Sequence, residues 1–151
     1  MNKNNFKTEL TLRADASAVF DAVATRDGIC GWWTVFTRFD GNEGSVATMR
    51  FPKTGFFVRM QVEKLETDRL VHWKCIEAEH PPGVSSDPND WVGTEVIFEI
   101  ESLGEGAHLA FTHVGLAGLE CNDVCSDVWG FFLHTSLKAY VETGKGEPTV
   151  E

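Results

Sequence analysis

Positive charge is scarce in the second half of this chain. Residues 75–151 contain 2 lysines and arginines against 14 aspartates and glutamates, whereas residues 1–74 contain 11 against 9, and the formal net charge is −10. Nucleic-acid backbones and anionic membrane surfaces attract clustered lysine and arginine, so the composition disfavours both partners, above all for the second half. We interpret the acidic excess as a contribution to solubility.

Long apolar runs are also missing. No run approaches the ~20 residues of a membrane-spanning helix, which argues against membrane insertion. The N-terminal residues 1–5 are polar and lead directly into a strand pattern, so no signal peptide is visible. We therefore expect a cytoplasmic protein with four reduced cysteines, Cys30, Cys75, Cys121 and Cys125.

Motifs of common catalytic and cofactor sites are absent from the sequence. The chain has no Gly-x-Gly-x-x-Gly fingerprint, no phosphate-binding loop, no Gly-x-Ser-x-Gly elbow and no His-Glu-x-x-His pair. The sequence accordingly predicts no cofactor.

Aromatic residues are abundant for a chain of this size. The 151 residues suit a single domain over 1–151, with a core over about 5–144 and a frayed tail over 145–151. They include 11 phenylalanines and 5 tryptophans. Large rings bury much area but leave gaps between them, so we expect an internal cavity.

The spacing of apolar residues predicts the secondary structure. A strand begins near Phe6, two short helices follow over residues 15–33, and alternating strands fill most of residues 34–115. Short connections between these strands indicate an antiparallel meander with one buried face. An apolar stripe at steps of three and four then predicts one long helix over 122–143, started by Asn122 or Asp123 and ended by Gly144.

These elements predict an α+β fold. Its curved antiparallel sheet of about six to seven strands wraps around the long C-terminal helix, and the two short helices follow strand 1. A round helix does not fill a curved sheet, so the cavity is expected between the two.

The order of elements and several local motifs resemble a known superfamily. The motifs are Val19-Phe20, Trp32-Trp33-Thr34, Val71-His72-Trp73, Trp91-Val92-Gly93-Thr94-Glu95-Val96, Phe111-Thr112-His113, Trp129 with Ser136-Leu137-Lys138, and Glu142-Thr143-Gly144. They are similar to the START-like helix-grip superfamily (SRPBCC), in its branch named after the activator of the heat-shock-protein-90 ATPase. The resemblance implies a small-molecule or lipid-like ligand held between sheet and helix. Its members include binders, cyclases, hydrolases and chaperone partners.

The candidate ligand-binding residues are those that periodicity turns towards the predicted cavity. They are Trp33, Met49, Phe51, Trp73, Cys75, Phe98, Phe111, His113, Trp129, Phe132 and Leu133. His113 has two interpretations: a contact or general base for a ligand, or a ring that a backbone carbonyl holds in place. We favour the second.

Two further features leave alternatives open. Cys121 and Cys125 are spaced as a possible metal or redox pair, but a structural zinc needs four ligands and His134 falls on the other side of the helix. Buried apolar cysteines and no metal site are therefore expected. Residues 80–91 are long for a hairpin loop and form either a lid over the cavity or a tolerated surface loop.

The distribution of carboxylates favours binding over catalysis. Glu63, Glu95, Glu99 and Glu101 fall opposite the apolar sets and hence in water, and acid–base catalysis generally needs two positioned groups. The leading hypothesis is a non-catalytic carrier or sensor of a small hydrophobic ligand. The alternatives are an enzyme of the polyketide cyclase or hydrolase type that uses His113, and a co-chaperone-like module. A homodimer and a heat-shock-protein-90 partner stay open.

Overall fold

The computed structural model describes residues 4–151. Residues 1–3, which belong to the N-terminus interpreted above as free of a signal peptide, lie outside the described residues. The strands are β1 (Phe6–Leu12), β2 (Thr37–Arg38), β3 (Val46–Phe51), β4 (Phe56–Glu66), β5 (Leu70–Glu79), β6 (Glu95–Leu103) and β7 (Gly106–Val114). The helices are α1 (Ala16–Ala24), α2 (Arg26–Trp32), α3 (Asn122–Phe131) and α4 (Lys138–Thr143). None of the helices in this range has the length and hydropathy of a membrane span.

The seven strands form one antiparallel sheet in the order β1-β7-β6-β5-β4-β3-β2. The meander from β2 to β7 follows the chain, and β1 closes the far edge by pairing with β7. Burial alternates along each strand, so that Leu109, Phe111 and His113 of β7 point into the core. The predicted α+β architecture is confirmed, with a curved sheet and two short helices after β1.

The C-terminal helix is one continuous rod with an irregular centre. A π-helical segment, Phe132–Leu137, joins α3 to α4 without a break. The predicted helix over 122–143 is thus confirmed, and it ends at Gly144 with φ 89°. Its N-cap is Cys121, which makes no side-chain capping bond, rather than Asn122 or Asp123. The π-helical turn points Ser136 inward, where its hydroxyl donates to the Trp32 carbonyl at 2.7 Å.

The last residues are hydrogen-bonded to the rest of the chain, although the sequence predicts a frayed tail over 145–151. The Thr149 N–H donates to the Trp33 carbonyl at 2.9 Å, and the Thr149 carbonyl accepts from Val35 at 3.0 Å. The segment after α2 has open backbone groups because β2 is only two residues long, and the tail pairs with them.

Replacing two helical glycines by alanine should change the free energy of unfolding in opposite directions. A Cβ on Gly28 would lie 2.1 Å from the Asp21 carbonyl oxygen in α1, whereas a Cβ on Gly130 in α3 meets nothing within 4 Å. We expect Gly28→Ala to lower the free energy of unfolding by at least about 1–3 kcal/mol, because the backbones of α1 and α2 must separate. Gly130→Ala should raise it by roughly 0.5–1 kcal/mol through helix propensity. Urea unfolding measures both, and equal midpoints for the two variants would contradict this packing.

Candidate functional site

The middle of the core is filled with interlocked rings. Trp33 stacks on Trp73 with centroids 6.2 Å apart, and Trp73 meets Phe98 edge-on at 5.0 Å. On the helix side, Trp129 contacts Phe111 at 4.6 Å and Trp33 at 5.0 Å. These rings occupy the region between the centre of the sheet and the helix.

An apolar cavity of about 320 Å³ opens at one end of this aromatic core. It lies where the β3–β4 hairpin, the 80–91 loop, α3 and the C-terminal tail meet. Its lining consists of Trp33, Phe51, Thr54, Phe56, His80, Pro81, Val84, Trp91, Val124, Cys125, Val128, Trp129, Phe132 and Thr149. The volume falls at the lower end of the roughly 300–1,000 Å³ that is typical of ligand pockets. The arrangement can bury a small apolar molecule beside one imidazole and one thiol.

The eleven candidate residues divide between the cavity and the core. Trp33, Phe51, Trp129 and Phe132 line the cavity. The other seven are buried without lining it: Met49, Trp73, Cys75, Phe98, Phe111, His113 and Leu133. Periodicity tells which face of an element is buried, but not which end of that face reaches an opening.

His113 lies in a chain of hydrogen bonds inside the core. The Trp129 indole N–H donates to His113 Nδ1 at 3.1 Å, and His113 Nε2 lies 2.9 Å from the Thr94 hydroxyl. That hydroxyl donates to the Trp91 carbonyl at 2.6 Å. With Nδ1 as acceptor, Nε2 carries the proton and donates to Thr94. Burial lowers the pKa of His113 to about 3, so the ring is neutral and both nitrogens have partners. The expected bond from the ring to a backbone carbonyl is therefore wrong, because the side chains of Trp129 and Thr94 hold both nitrogens.

The 80–91 loop is tied down at several points. Ser86 donates to the Glu120 carboxylate through its N–H at 2.9 Å and its hydroxyl at 2.7 Å. The Asn89 amide donates to the Ala78 carbonyl at 2.6 Å, and the buried Trp91 forms part of the cavity wall. The loop borders the cavity, and its action as a lid stays a prediction.

The same loop brings a histidine and a carboxylate to the two helix cysteines. His80 Nε2 lies 2.9 Å from Asp90 Oδ1, and Cys121 Sγ donates to that oxygen at 3.7 Å. Ligand atoms of His80, Cys121 and Cys125 all lie within 4.8 Å of one another, and all three residues are buried. This cluster is not predicted from the sequence, because its histidine comes from the loop and not from the helix that carries the cysteines. The sequence does contain one indication of the cluster: His80 is the only histidine in residues 80–91.

Contacts within this cluster shift its ionisation. Burial by itself lowers the pKa of His80, but hydrogen bonding to Cys121 and the Asp90 carboxylate raise it overall. A hydrogen bond with Cys121 lowers the pKa of the Cys125 thiol against the effect of burial, and the Trp91 indole lowers it further. The same bond and burial raise the pKa of Cys121. Cys125 is therefore the more acidic thiol of the pair.

The strand carboxylates face outward as predicted, but one loop carboxylate, that of Asp90, is buried. Glu63, Glu99 and Glu101 are exposed, and Glu95 is partly exposed. The Asp90 side chain, in contrast, is only 8% exposed beside His80. Strand parity places residues of strands and says nothing about a loop.

A second, polar hollow of about 720 Å³ lies near the β2 edge of the sheet. Arg26, Arg38, Arg50 and Arg59 converge there. Arg26 is already paired with Asp27 and Arg59 with Glu77. The aromatic cavity is the better candidate site, because its walls are almost entirely apolar.

Comparisons with known proteins agree with this architecture. The family model described as "Activator of Hsp90 ATPase homolog 1-like protein" matches residues 13–142. The chain is similar to Aha1 of Colwellia psychrerythraea, solved as a dimer in solution, with 29% identity, a TM-score of 0.77, and coverage of 94% of this chain and 98% of that one. No curated protein sequence matches this chain.

Two more distant structures share the fold. A protein from Staphylococcus saprophyticus is 16% identical with a TM-score of 0.72, covering 97% of this chain and 98% of that one. CalU16 from Micromonospora echinospora is also 16% identical, with a TM-score of 0.66 and coverage of 95% and 76%. At these identities the likeness concerns the fold alone.

Proposed function

The chain belongs to the Activator of Hsp90 ATPase homolog 1-like family, and from this premise we propose that it binds a small, mostly apolar ligand as a non-catalytic carrier or sensor. The aromatic cavity is the observation that carries the proposal. Three tryptophans and three phenylalanines line it, namely Trp33, Trp91, Trp129, Phe51, Phe56 and Phe132. Apolar walls of this kind gain free energy by excluding water from a ligand of matching character.

The polar groups of the wall define the ligand further. His80, Thr54 and Thr149 line the cavity together with the Cys125 thiol. A ligand with one polar end would place that end against His80, while the rings enclose its apolar part. The polar contact is thereby assigned to His80 of the 80–91 loop and not to His113, which does not line the cavity.

The enzyme alternative has less support from the geometry. A general base must reach the proton that it removes. His113 does not line the cavity, and its two nitrogens are held by Trp129 and Thr94. These contacts favour the binding interpretation over the cyclase or hydrolase that uses His113.

The cytoplasmic location stays a prediction.

A protein-interaction role is the second candidate. The Aha1 structure from Colwellia psychrerythraea is a dimer, and three apolar side chains on one side of α3 are at least 43% exposed: Val124, Val128 and Phe131. A second copy of the chain or a chaperone surface would cover such a row. Native mass spectrometry of the purified chain, alone and with a heat-shock-protein-90 homologue, tests this candidate.

Filling the cavity mouth should abolish ligand binding. Val128 lines the cavity and is 45% exposed, so a larger side chain fits there without disturbing the core. We expect the neutral fluorescent probe N-phenyl-1-naphthylamine to bind the native chain, and Val128→Trp to weaken binding at least about tenfold because the indole occupies the probe's space. Fluorescence titration measures both affinities, and displacement by a panel of fatty acids and aromatic acids then defines the ligand class.

Val46→Trp is the matched control. Val46 is 39% exposed on β3 and does not line the cavity. Its variant should bind the probe as the native chain does. Equal binding by native protein and Val128→Trp, or no binding by the native chain of any probe or lipid, would overturn the proposal.

A further inference from the structure

We propose that His80, Asp90, Cys121 and Cys125 form a binding site for a zinc-class transition-metal ion. Two of these residues come from the 80–91 loop and two from the start of α3, which are separated in sequence by β6 and β7. His80, Cys121 and Cys125 nevertheless lie close together below the surface at the wall of the cavity, and Asp90 contacts His80 and Cys121.

His80, Cys121 and Cys125 offer three ligand atoms within reach of one ion. Asp90 contacts His80 and Cys121 but lies outside this mutual 4.8 Å set, so it completes a tetrahedron only after a shift towards Cys125. Bond lengths of about 2.0–2.3 Å to nitrogen, oxygen and sulfur separate two tetrahedral ligand atoms by roughly 3.3–3.8 Å. The Cys121 Sγ to Asp90 Oδ1 distance is 3.7 Å, and the ligand atoms of His80, Cys121 and Cys125 lie within 4.8 Å of one another. The 2.9 Å between His80 Nε2 and Asp90 Oδ1 needs to widen by only a few tenths of an ångström.

The donor types select the metal. Two thiolates, one imidazole and one carboxylate are a ligand set typical of Zn²⁺, whereas Mg²⁺ and Ca²⁺ prefer oxygen donors alone. On binding, both thiols release their protons to solvent and the imidazole remains neutral. The thiolates and the carboxylate then offset the charge of the divalent ion in a buried place.

Surrounding residues hold the ligands in place. The Ser85 hydroxyl donates to Asp90 Oδ2 at 2.9 Å, which leaves Oδ1 directed towards His80 and Cys121. The Phe56 ring stacks on His80 with centroids 5.1 Å apart. Trp91 Nε1 is buried and has no hydrogen-bond partner in residues 4–151. Such outer contacts are typical of metal centres, where they orient the ligands.

The proposed metal site is adjacent to the aromatic cavity and shares two of its residues. His80 and Cys125 also line the cavity, whereas Asp90 and Cys121 do not. A bound ion would fasten the 80–91 loop to the start of α3 and present its charge at the polar end of the cavity. Failure of one proposal is distinguishable from failure of the other, because Cys121 does not line the cavity and Val128 is not among the four proposed ligands.

Cobalt titration of the reduced, chelator-treated full-length chain tests the proposal. We expect one Co²⁺ per chain with cobalt–thiolate charge-transfer absorption, and its displacement by Zn²⁺, which binds such sites more tightly. Cys121→Ser, Cys125→Ser and Asp90→Asn should each weaken metal binding at least about tenfold. Cys30→Ser is the matched control, since Cys30 is on α2 outside the cluster, and should leave the titration unchanged.

Three results would contradict the proposed metal site. It is overturned if the native chain shows no cobalt–thiolate absorption after reduction, or if the absorption survives unchanged in Cys121→Ser. It is equally overturned if thiol titration finds Cys121 and Cys125 joined in a disulfide and the reduced chain binds no metal. Circular dichroism of the metal-free variants checks their folding. If a variant does not fold, the cobalt titration of the native chain tests the site by itself.

Discussion

Acidification from pH 6.5 towards pH 3 is expected to destabilise the native protein much more than its His113→Gln variant. Burial lowers the pKa of His113 from 6.5 to about 3. Between these values the unfolded chain binds a proton at this residue and the folded chain does not, so acid favours unfolding. The contribution of neutral His113 is complete above pH 6.5 and is lost as the pH falls, at up to about 1.4 kcal/mol per pH unit.

Urea unfolding at a series of pH values measures this difference. The glutamine introduced by His113→Gln can still accept from the Trp129 indole and donate to Thr94, but it cannot be protonated in this range. His108→Gln is the control, because His108 lies on the same strand with a partly exposed side chain. Parallel stability curves for native protein and His113→Gln would refute the buried neutral imidazole.

Trp33→Ala should cost about 3–5 kcal/mol of unfolding free energy. The Trp33 ring is 2% exposed and contacts four other rings, those of Trp32, Phe51, Trp73 and Trp129, with centroids 5.0–6.2 Å apart. Its removal leaves a void in the centre of the aromatic core, which its rigid neighbours cannot fill. The same void adjoins the cavity, so the variant should accept bulkier apolar ligands than the native chain does.

Two further variants keep this expectation testable. Phe36→Ala removes an aromatic ring that is 38% exposed, and we expect a cost under about 1 kcal/mol. Trp33→Phe retains most of the packing and should fall between the two, giving a measurable value even if Trp33→Ala does not fold. A loss for Trp33→Ala no larger than that for Phe36→Ala would contradict the central role of this ring.

Local periodicity predicted most of the fold correctly. Alternation along β7 placed Phe111 and His113 inward, and steps of three and four placed Trp129 and Phe132 on the buried side of the helix. Both patterns are local, because side-chain direction follows from strand and helix geometry within a few residues. The contacts of the tail, such as Thr149 with Trp33, depart from the expectation, because they join residues far apart in sequence.

The candidate site was predicted less completely. Trp33, Phe51, Trp129 and Phe132 line the cavity, but Phe56, Val84 and Trp91 were not among the candidate residues. The cavity lies at one end of the sheet, and the rings of Trp73 and Phe98 pack against each other at its centre. Filling by side chains depends on volumes contributed by several elements at once, and periodicity does not contain that information.

The sequence alone determined the class of fold, the family resemblance, the buried faces and the outward carboxylates of this protein. The tertiary structure decided where space remains, which nitrogens of His113 have partners, and that the 80–91 loop brings His80 and Asp90 to Cys121 and Cys125. The reason is one of range. Hydrophobic pattern acts over one or two turns of chain, whereas a cavity or a ligand set needs groups that only long-range packing brings within a few ångströms.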